Sequence, residues 1–226
     1  MKQCRTSIAK AAVLCVYMLL AMHCATQAGN LTGTVARPPL AERTEQLIDR
    51  YRGRTSGDPT LVDQNCACDP GKYAVVWLTG DSLPPLKPAG PIPRIAQKDM
   101  MFKPSVMAVT VGSTVEFPNL DPYFHNVFSY SKTKKFDLGR YEQGKSKPVT
   151  FDKPGIVKIF CEIHYSMRAY LHVLASPYFA VTNEKGGFAI SDVKPGNYTL
   201  HVWQENQSDL FREITVGADG AMVNIE

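Results

Sequence analysis

The apolar runs after residue 72 are short, and turn residues cut them apart. Tyr73 to Leu78 (YAVVWL), Val106 to Val111, Thr114 to Phe117, Lys147 to Phe151, Ile156 to Phe160, Ala169 to Leu174 and Tyr198 to Trp203 are the main ones. Gly112-Ser113, Asp152-Lys153-Pro154-Gly155 and Lys194-Pro195-Gly196-Asn197 fall between them. Runs of this length are strands, and strands at this spacing without intervening helical patterns predict an all-β fold built as an antiparallel sandwich. Further along, Ala180-Val181-Thr182 and Phe188-Ala189-Ile190 flank Asn183–Gly187, which predicts a hairpin. Leu31 to Val35 reads as a first strand. Leu40, Leu47, Ile48 and Tyr51 share a helical face and predict a short amphipathic helix near 41–52.

The first 28 residues have a different character. Lys2, Arg5 and Lys10 precede an apolar run from Ala11 to Met22, and Thr26-Gln27-Ala28 offers small residues for cleavage. This is the three-part pattern of a secretory signal peptide, with cleavage expected after Ala28 and a periplasmic or secreted mature protein. An uncleaved anchor or acylation at Cys24 is the alternative, although His23 stands where a lipoprotein signal wants a small residue. No other stretch is apolar for long enough to span a bilayer.

Charge and cysteine content change once that segment is set aside. The whole chain carries 25 basic and 21 acidic residues; removing Lys2, Arg5 and Lys10 leaves 22 against 21. A nearly neutral chain lacks the footprint of a nucleic-acid binder. Of six cysteines, Cys66, Cys68 and Cys161 remain, an odd number for an oxidising compartment. Cys66 and Cys68 read as a local disulfide or as a thiol pair for redox exchange or copper delivery. Cys161 then has another use.

That use is suggested by its neighbours. Cys161, His164 and Met167 follow each other at three-residue spacing between two predicted strands, and His125 lies 36 residues upstream. A soft thiolate, two imidazoles and a weak thioether are the donors that suit copper cycling between two oxidation states. Three donors on one tight loop and a fourth from a neighbouring strand connection can meet at one end of a sandwich. His172 and His201 sit in alternating strands with no partner at ligand spacing and read as structural. Trp77 and Trp203 read as core residues rather than as a carbohydrate platform.

The stretch from Val109 to Val127 (VTVGSTVEFPNLDPYFHNV), followed by FCEIHYSMR, resembles the cupredoxins, the blue copper family of plastocyanin, azurin and amicyanin. The resemblance covers Ile92 to Leu174, and the two-residue spacer between His164 and Met167 is most similar to amicyanin. It implies a Greek-key sandwich with one mononuclear type 1 copper. His125 and His164 would bind through Nδ1, Cys161 as thiolate and Met167 axially, with Asn126 bracing the ligand loops. Family loops often carry Pro where this chain has Ile163. The segment Val181 to Trp203 is similar to carboxypeptidase regulatory-like, or transthyretin-like, sandwich modules, and Gly33 to Val35 and YAVVWL look like the early strands of such a module. The chain also resembles plastocyanin-like methylamine-utilisation proteins.

The expected organisation is therefore a signal peptide over 1–28, first strands of the regulatory-like sandwich over 29–80 and a Pro-rich linker over 81–93. A cupredoxin domain over 94–176 and the remaining strands over 177–226 follow. The expected function is single-electron transfer between redox partners, a cytochrome or a dehydrogenase, with copper sequestration or delivery as the alternative. Nine basic residues against four acids between His125 and Arg168 suggest a partner with an acidic surface. An enzyme is not expected. Multicopper oxidases need His-x-His pairs and copper nitrite reductases place His before the ligand Cys, whereas this chain has no His-x-His and Phe160 precedes Cys161. No Gly-rich phosphate loop, triad motif or H-E-x-x-H is present.

Overall fold

The computed structural model describes residues 28–37, 70–81, 83–86, 90–164 and 166–226. The signal peptide, the helix expected near 41–52, Cys66 and Cys68 lie outside the described residues, apart from Ala28. In chain order the strands are β1 (Gly29–Val35), β2 (Ala74–Thr79), β3 (Ala96–Lys98), β4 (Met101–Lys103), β5 (Val106–Thr110) and β6 (Thr114–Pro118). There follow β7 (His125–Tyr130), β8 (Lys135–Tyr141), β9 (Ser146–Thr150), β10 (Gly155–Phe160) and β11 (Arg168–Leu174). The last five are β12 (Phe179–Val181), β13 (Gly187–Val193), β14 (Gly196–Gln204), β15 (Leu210–Val216) and β16 (Ala221–Ile225). A single 3-10 turn at Pro70–Lys72 is the helical element among the described residues, so the fold is all-β. No helix among those residues is long and apolar enough to cross a membrane.

Two sandwiches share the strands. In the first, a sheet of order β5-β11-β10-β7-β8 faces the β6-β9 pair, beside which the β3-β4 hairpin is held by bridges from Arg94 to Glu116 and Gln97 to Asn119. Phe102, Val115, Phe117, Phe151, Val127, Val157, Ile159 and Leu171 fill its core. In the second, β13-β1-β16 faces β12-β2-β14-β15 over Leu31, Val76, Leu78, Phe188, Tyr198 and Leu200. Strands from residues 29–80 and from 177–226 meet in both of its sheets.

The two sandwiches are joined by a third apolar cluster of Val75, Val106, Tyr170, Leu174 and Trp203. It forms because β11 alternates between two cores. Ala169, Leu171 and Val173 face the first sandwich, and Tyr170 and Leu174 face the second. Trp203 lies here at 7% exposure, with Trp77 packed beside it. The segment after β2 is tied at both ends: Leu83 packs on the second core, and the Pro93 carbonyl accepts the Glu116 N–H at 3.0 Å.

Three expectations need correction. The sandwich is not wholly antiparallel, since β1 pairs parallel with β16 and β11 pairs parallel with β5. Strands this far apart in sequence reach each other by crossing between sheets, and nothing then forces an antiparallel pairing. The segments around 180–182 and 188–190 do not pair. β12 bonds to β2 and β13 to β1, so the turn at Asn183–Gly187 carries the chain from one sheet to the other. The turn itself closes as its residues suggest, with Gly186 at φ 81°. Finally, His125 is not on a strand connection: it is the first residue of β7.

His172 shows the cost of this joint. Its ring is 2% exposed, 4.3 Å from Trp203 and 6.3 Å from Trp77 between centroids, and Nε2 has no hydrogen-bond partner among the described residues. Burial among apolar rings disfavours the charged imidazolium and pushes the pKa down to about 4. The unfolded chain therefore binds a proton at His172 that the folded chain refuses between pH 6.5 and about 4. Stability is fully present above that window and falls by up to about 3 kcal/mol through it. Urea unfolding at about pH 7 and about pH 4.5 should show this loss, and His172→Leu should flatten it.

Candidate metal centre

β10 and β11 form an antiparallel pair running from Gly155 opposite Val173 to Phe160 opposite Arg168. The loop that joins them, Cys161 to Met167, is therefore anchored at both ends. The Cys161 N–H donates to the Met167 carbonyl at 3.3 Å, and the Met167 N–H donates to the His164 carbonyl at 2.9 Å. These two bonds fold Cys161, His164 and Met167 into one tight turn. β7 lies beside β10, with Phe128 opposite Phe160, which brings His125 next to Cys161.

The structure gathers three of the expected ligands. His125 Nδ1 is 3.0 Å from His164 Nδ1 and 4.0 Å from Cys161 Sγ, and the donor atoms of all three lie within 4.8 Å of one another. The two rings meet edge to face at 4.7 Å. His125 and Met167 are fully buried and Cys161 nearly so, with Cys161 and Met167 in the same core cluster, while His164 is half-buried. A thiol and two imidazole nitrogens converging in an apolar wall, with a buried thioether on the same loop, are a donor set that fits copper.

Asn126 connects the two segments. Its Oδ1 accepts the Glu162 N–H at 2.7 Å and its Nδ2 approaches Asp137 at 3.4 Å. The residue after His125 thus holds the residue after Cys161. His172 and His201 stand apart from the cluster: His201 stacks on Trp77 at 5.0 Å and meets Thr79 Oγ1 at 2.8 Å.

Two residues of the site carry no mark in the C-x2-H-x2-M pattern. Asp121 Oδ2 accepts from His125 Nε2 at 2.9 Å inside the protein. Buried Asn119 accepts the Asp121 N–H at 3.0 Å and donates to the carbonyls of Tyr123 and Tyr141 at 2.8 and 3.0 Å. The signal was present as Asn119-x-Asp121-x3-His125, but Asp before Pro122 reads as a turn. Burial works to raise the pKa of Asp121. Hydrogen bonds from the Met100 N–H, His125 and the Asp99 N–H outweigh it and hold the carboxyl below its ordinary value. Nearby, burial pushes the Tyr141 phenol well up, so it stays a neutral donor to the Phe117 carbonyl.

With this geometry in view, residues 93–174 match the family of copper binding proteins of the plastocyanin/azurin type. Residues 165–223 match domain II of polysaccharide lyase family 4. Residues 93–174 form a cupredoxin-like domain. Among solved structures, the Cu(I) form of a methionine-to-alanine mutant of amicyanin is 21% identical, with a TM-score of 0.36 over 43% of this chain and 99% of that one. A purple cupredoxin from Nitrosopumilus maritimus is 21% identical, with a TM-score of 0.33 over 36% and 99%. The copper-containing nitrite reductase from Thermus scotoductus SA-01 is 24% identical, with a TM-score of 0.36 over 42% of this chain. The chain spans 25% of the length of that reductase. No match is found among curated proteins.

Asn126→Ala should leave the part-buried Glu162 N–H without its protein acceptor. The expected cost is about 0.5–1.5 kcal/mol in chemical denaturation. Hydrogen exchange at the Glu162 amide should quicken while exchange in β10 stays slow.

Proposed function

We propose that this protein is an exported type 1 copper protein that carries single electrons between redox partners. His125 Nδ1, Cys161 Sγ, His164 Nδ1 and Met167 would hold the metal. The observation that carries this reading is the convergence of His125, Cys161 and His164 within 4.8 Å in a buried wall. Bound there, copper supplies a one-electron couple between its cuprous and cupric forms.

The chain's own residues do the rest. The β10–β11 pair and the Asn126 bridge keep the donors in one arrangement, which favours a small structural change on electron transfer. Core packing around Cys161 and Met167 keeps water from the thiolate. His164 reaches the surface, so electrons would enter and leave at that end. Leu120, Tyr123 and Phe124, between 48% and 57% exposed on the segment leading into His125, suit a transient apolar contact there. Lys145 and Lys158 are exposed, while Arg140 is paired with Glu162 at 2.8 Å and Lys134 with Asp152 at 3.2 Å. This surface favours an acidic cytochrome or dehydrogenase as partner. A carrier is preferred to an enzyme because Phe160, and not His, precedes Cys161. Export is read from the leader at 1–28.

Two measurements test the reading. Cys161→Ser should lose the intense thiolate-to-copper absorption while retaining the wild-type far-ultraviolet spectrum; a variant that stays intensely blue contradicts the ligand assignment. Electron exchange with an acidic partner should slow as ionic strength rises. Copper passed on to an acceptor protein, in place of reversible redox cycling, would favour delivery instead.

A further inference from the structure

The site contains one ionised group that a copper ligand set does not require, and it is the best-anchored side chain there. Asp121 has an 8% exposed side chain, and its carboxylate lies 2.9 Å from His125 Nε2. Oδ1 accepts the Asp99 N–H at 2.7 Å, and Oδ2 accepts the Met100 N–H at 2.8 Å together with His125 Nε2 at 2.9 Å. The Asp121 N–H is itself fixed by Asn119 Oδ1 at 3.0 Å.

The two amides that aim the carboxylate come from strained backbone. Asp99 and Met100 lie at φ 56° and 53°, the left-handed region, which a residue such as Met rarely adopts. Two charge-assisted hydrogen bonds offset that strain. The outcome is a carboxylate with one defined direction, toward His125 Nε2. An ionised carboxylate only accepts, so His125 must carry its proton on Nε2. In the neutral ring Nδ1 is then a bare lone pair, and it is Nδ1 that faces His164 and Cys161.

We infer that Asp121 is a positioning residue for the metal: it fixes the tautomer of His125, strengthens Nδ1 as a donor and lowers the reduction potential of bound copper. The inference rests on the copper reading above for its last part, while the tautomer stands without metal. A carboxylate pulling on the far proton of a ligating imidazole raises the ring's basicity. Its negative charge, set in a buried wall, also stabilises the cupric form more than the cuprous one.

Nitrogen-15 imidazole shifts of the metal-free full chain at about pH 8, above the ordinary histidine range, come first. They should show His125 protonated at Nε2 and bare at Nδ1; the reverse tautomer overturns the inference without any variant. Asp121→Asn then removes the charge and keeps the shape. It should lose at least roughly tenfold more Cu(II) affinity than Cu(I) affinity, which by the one-electron relation raises the potential by ~59 mV or more. A folded Asp121→Asn protein with an unchanged potential overturns the inference and leaves Asp121 as a brace for the Asp99–Met100 turn. If Asp121→Asn fails to fold, the wild-type tautomer decides. A wild-type protein that binds no copper but shows Nε2–H at His125 refutes the copper reading instead.

Discussion

Strand β11 has no side turned to water along most of its length. Ala169, Leu171 and Val173 enter the core of the copper-family sandwich, while Tyr170, His172 and Leu174 enter the joint with the second sandwich. Because both faces are committed, a slip of one residue would exchange the two sets and break both cores. The register of β11 therefore fixes where the chain leaves its turn at Met167, and with it the Cys161–Met167 loop. The parallel pairing with β5 secures the free edge of the same strand.

The second sandwich acts on the site through this strand. Glu205, just after β14, accepts from the Tyr170 hydroxyl at 2.7 Å and lies 3.7 Å from Arg168, the residue after Met167. The aromatic contact of Tyr170 with Trp203 at 5.1 Å adds to the grip. The Asn119–Asp121–His125 chain ties His125 to the turn between β3 and β4. Residues outside the His125, Cys161 and His164 cluster thus brace the segments that carry it. A site built on paired strands and backed by such contacts has little freedom to rearrange.

What could be read from the sequence follows from where burial is one-sided or local. β2, β5, β6, β9, β10, β11 and β14 were legible because their apolar residues run together or alternate. β8 (KFDLGRY) and β15 (LFREITV) were not, since both lie at sheet edges with charged side chains exposed. β7 (HNVFSY) hid because it buries His125, Asn126 and Ser129, polar residues that break the apolar pattern of a strand and find their hydrogen-bond partners only in the fold. The pairing of β12 and β13 was misread because a good turn says nothing of which sheet each arm joins. Cys161, His164 and Met167 stood out as a group because one turn carries them all. His125 was legible through its family context, and Asp121 was missed because its role depends on amides from Asp99 and Met100.

These strands bring His125, Cys161 and His164 together, and with Met167 they would hold one copper ion. Electron paramagnetic resonance on the mature chain from Gly29, recorded with the visible spectrum after adding one equivalent of Cu(II), tests this most directly. Narrow parallel hyperfine splitting together with an intense thiolate-to-copper band is expected, as for a cysteine-bound type 1 centre. Wide splitting with a pale spectrum would place copper away from Cys161 and contradict this ligand set.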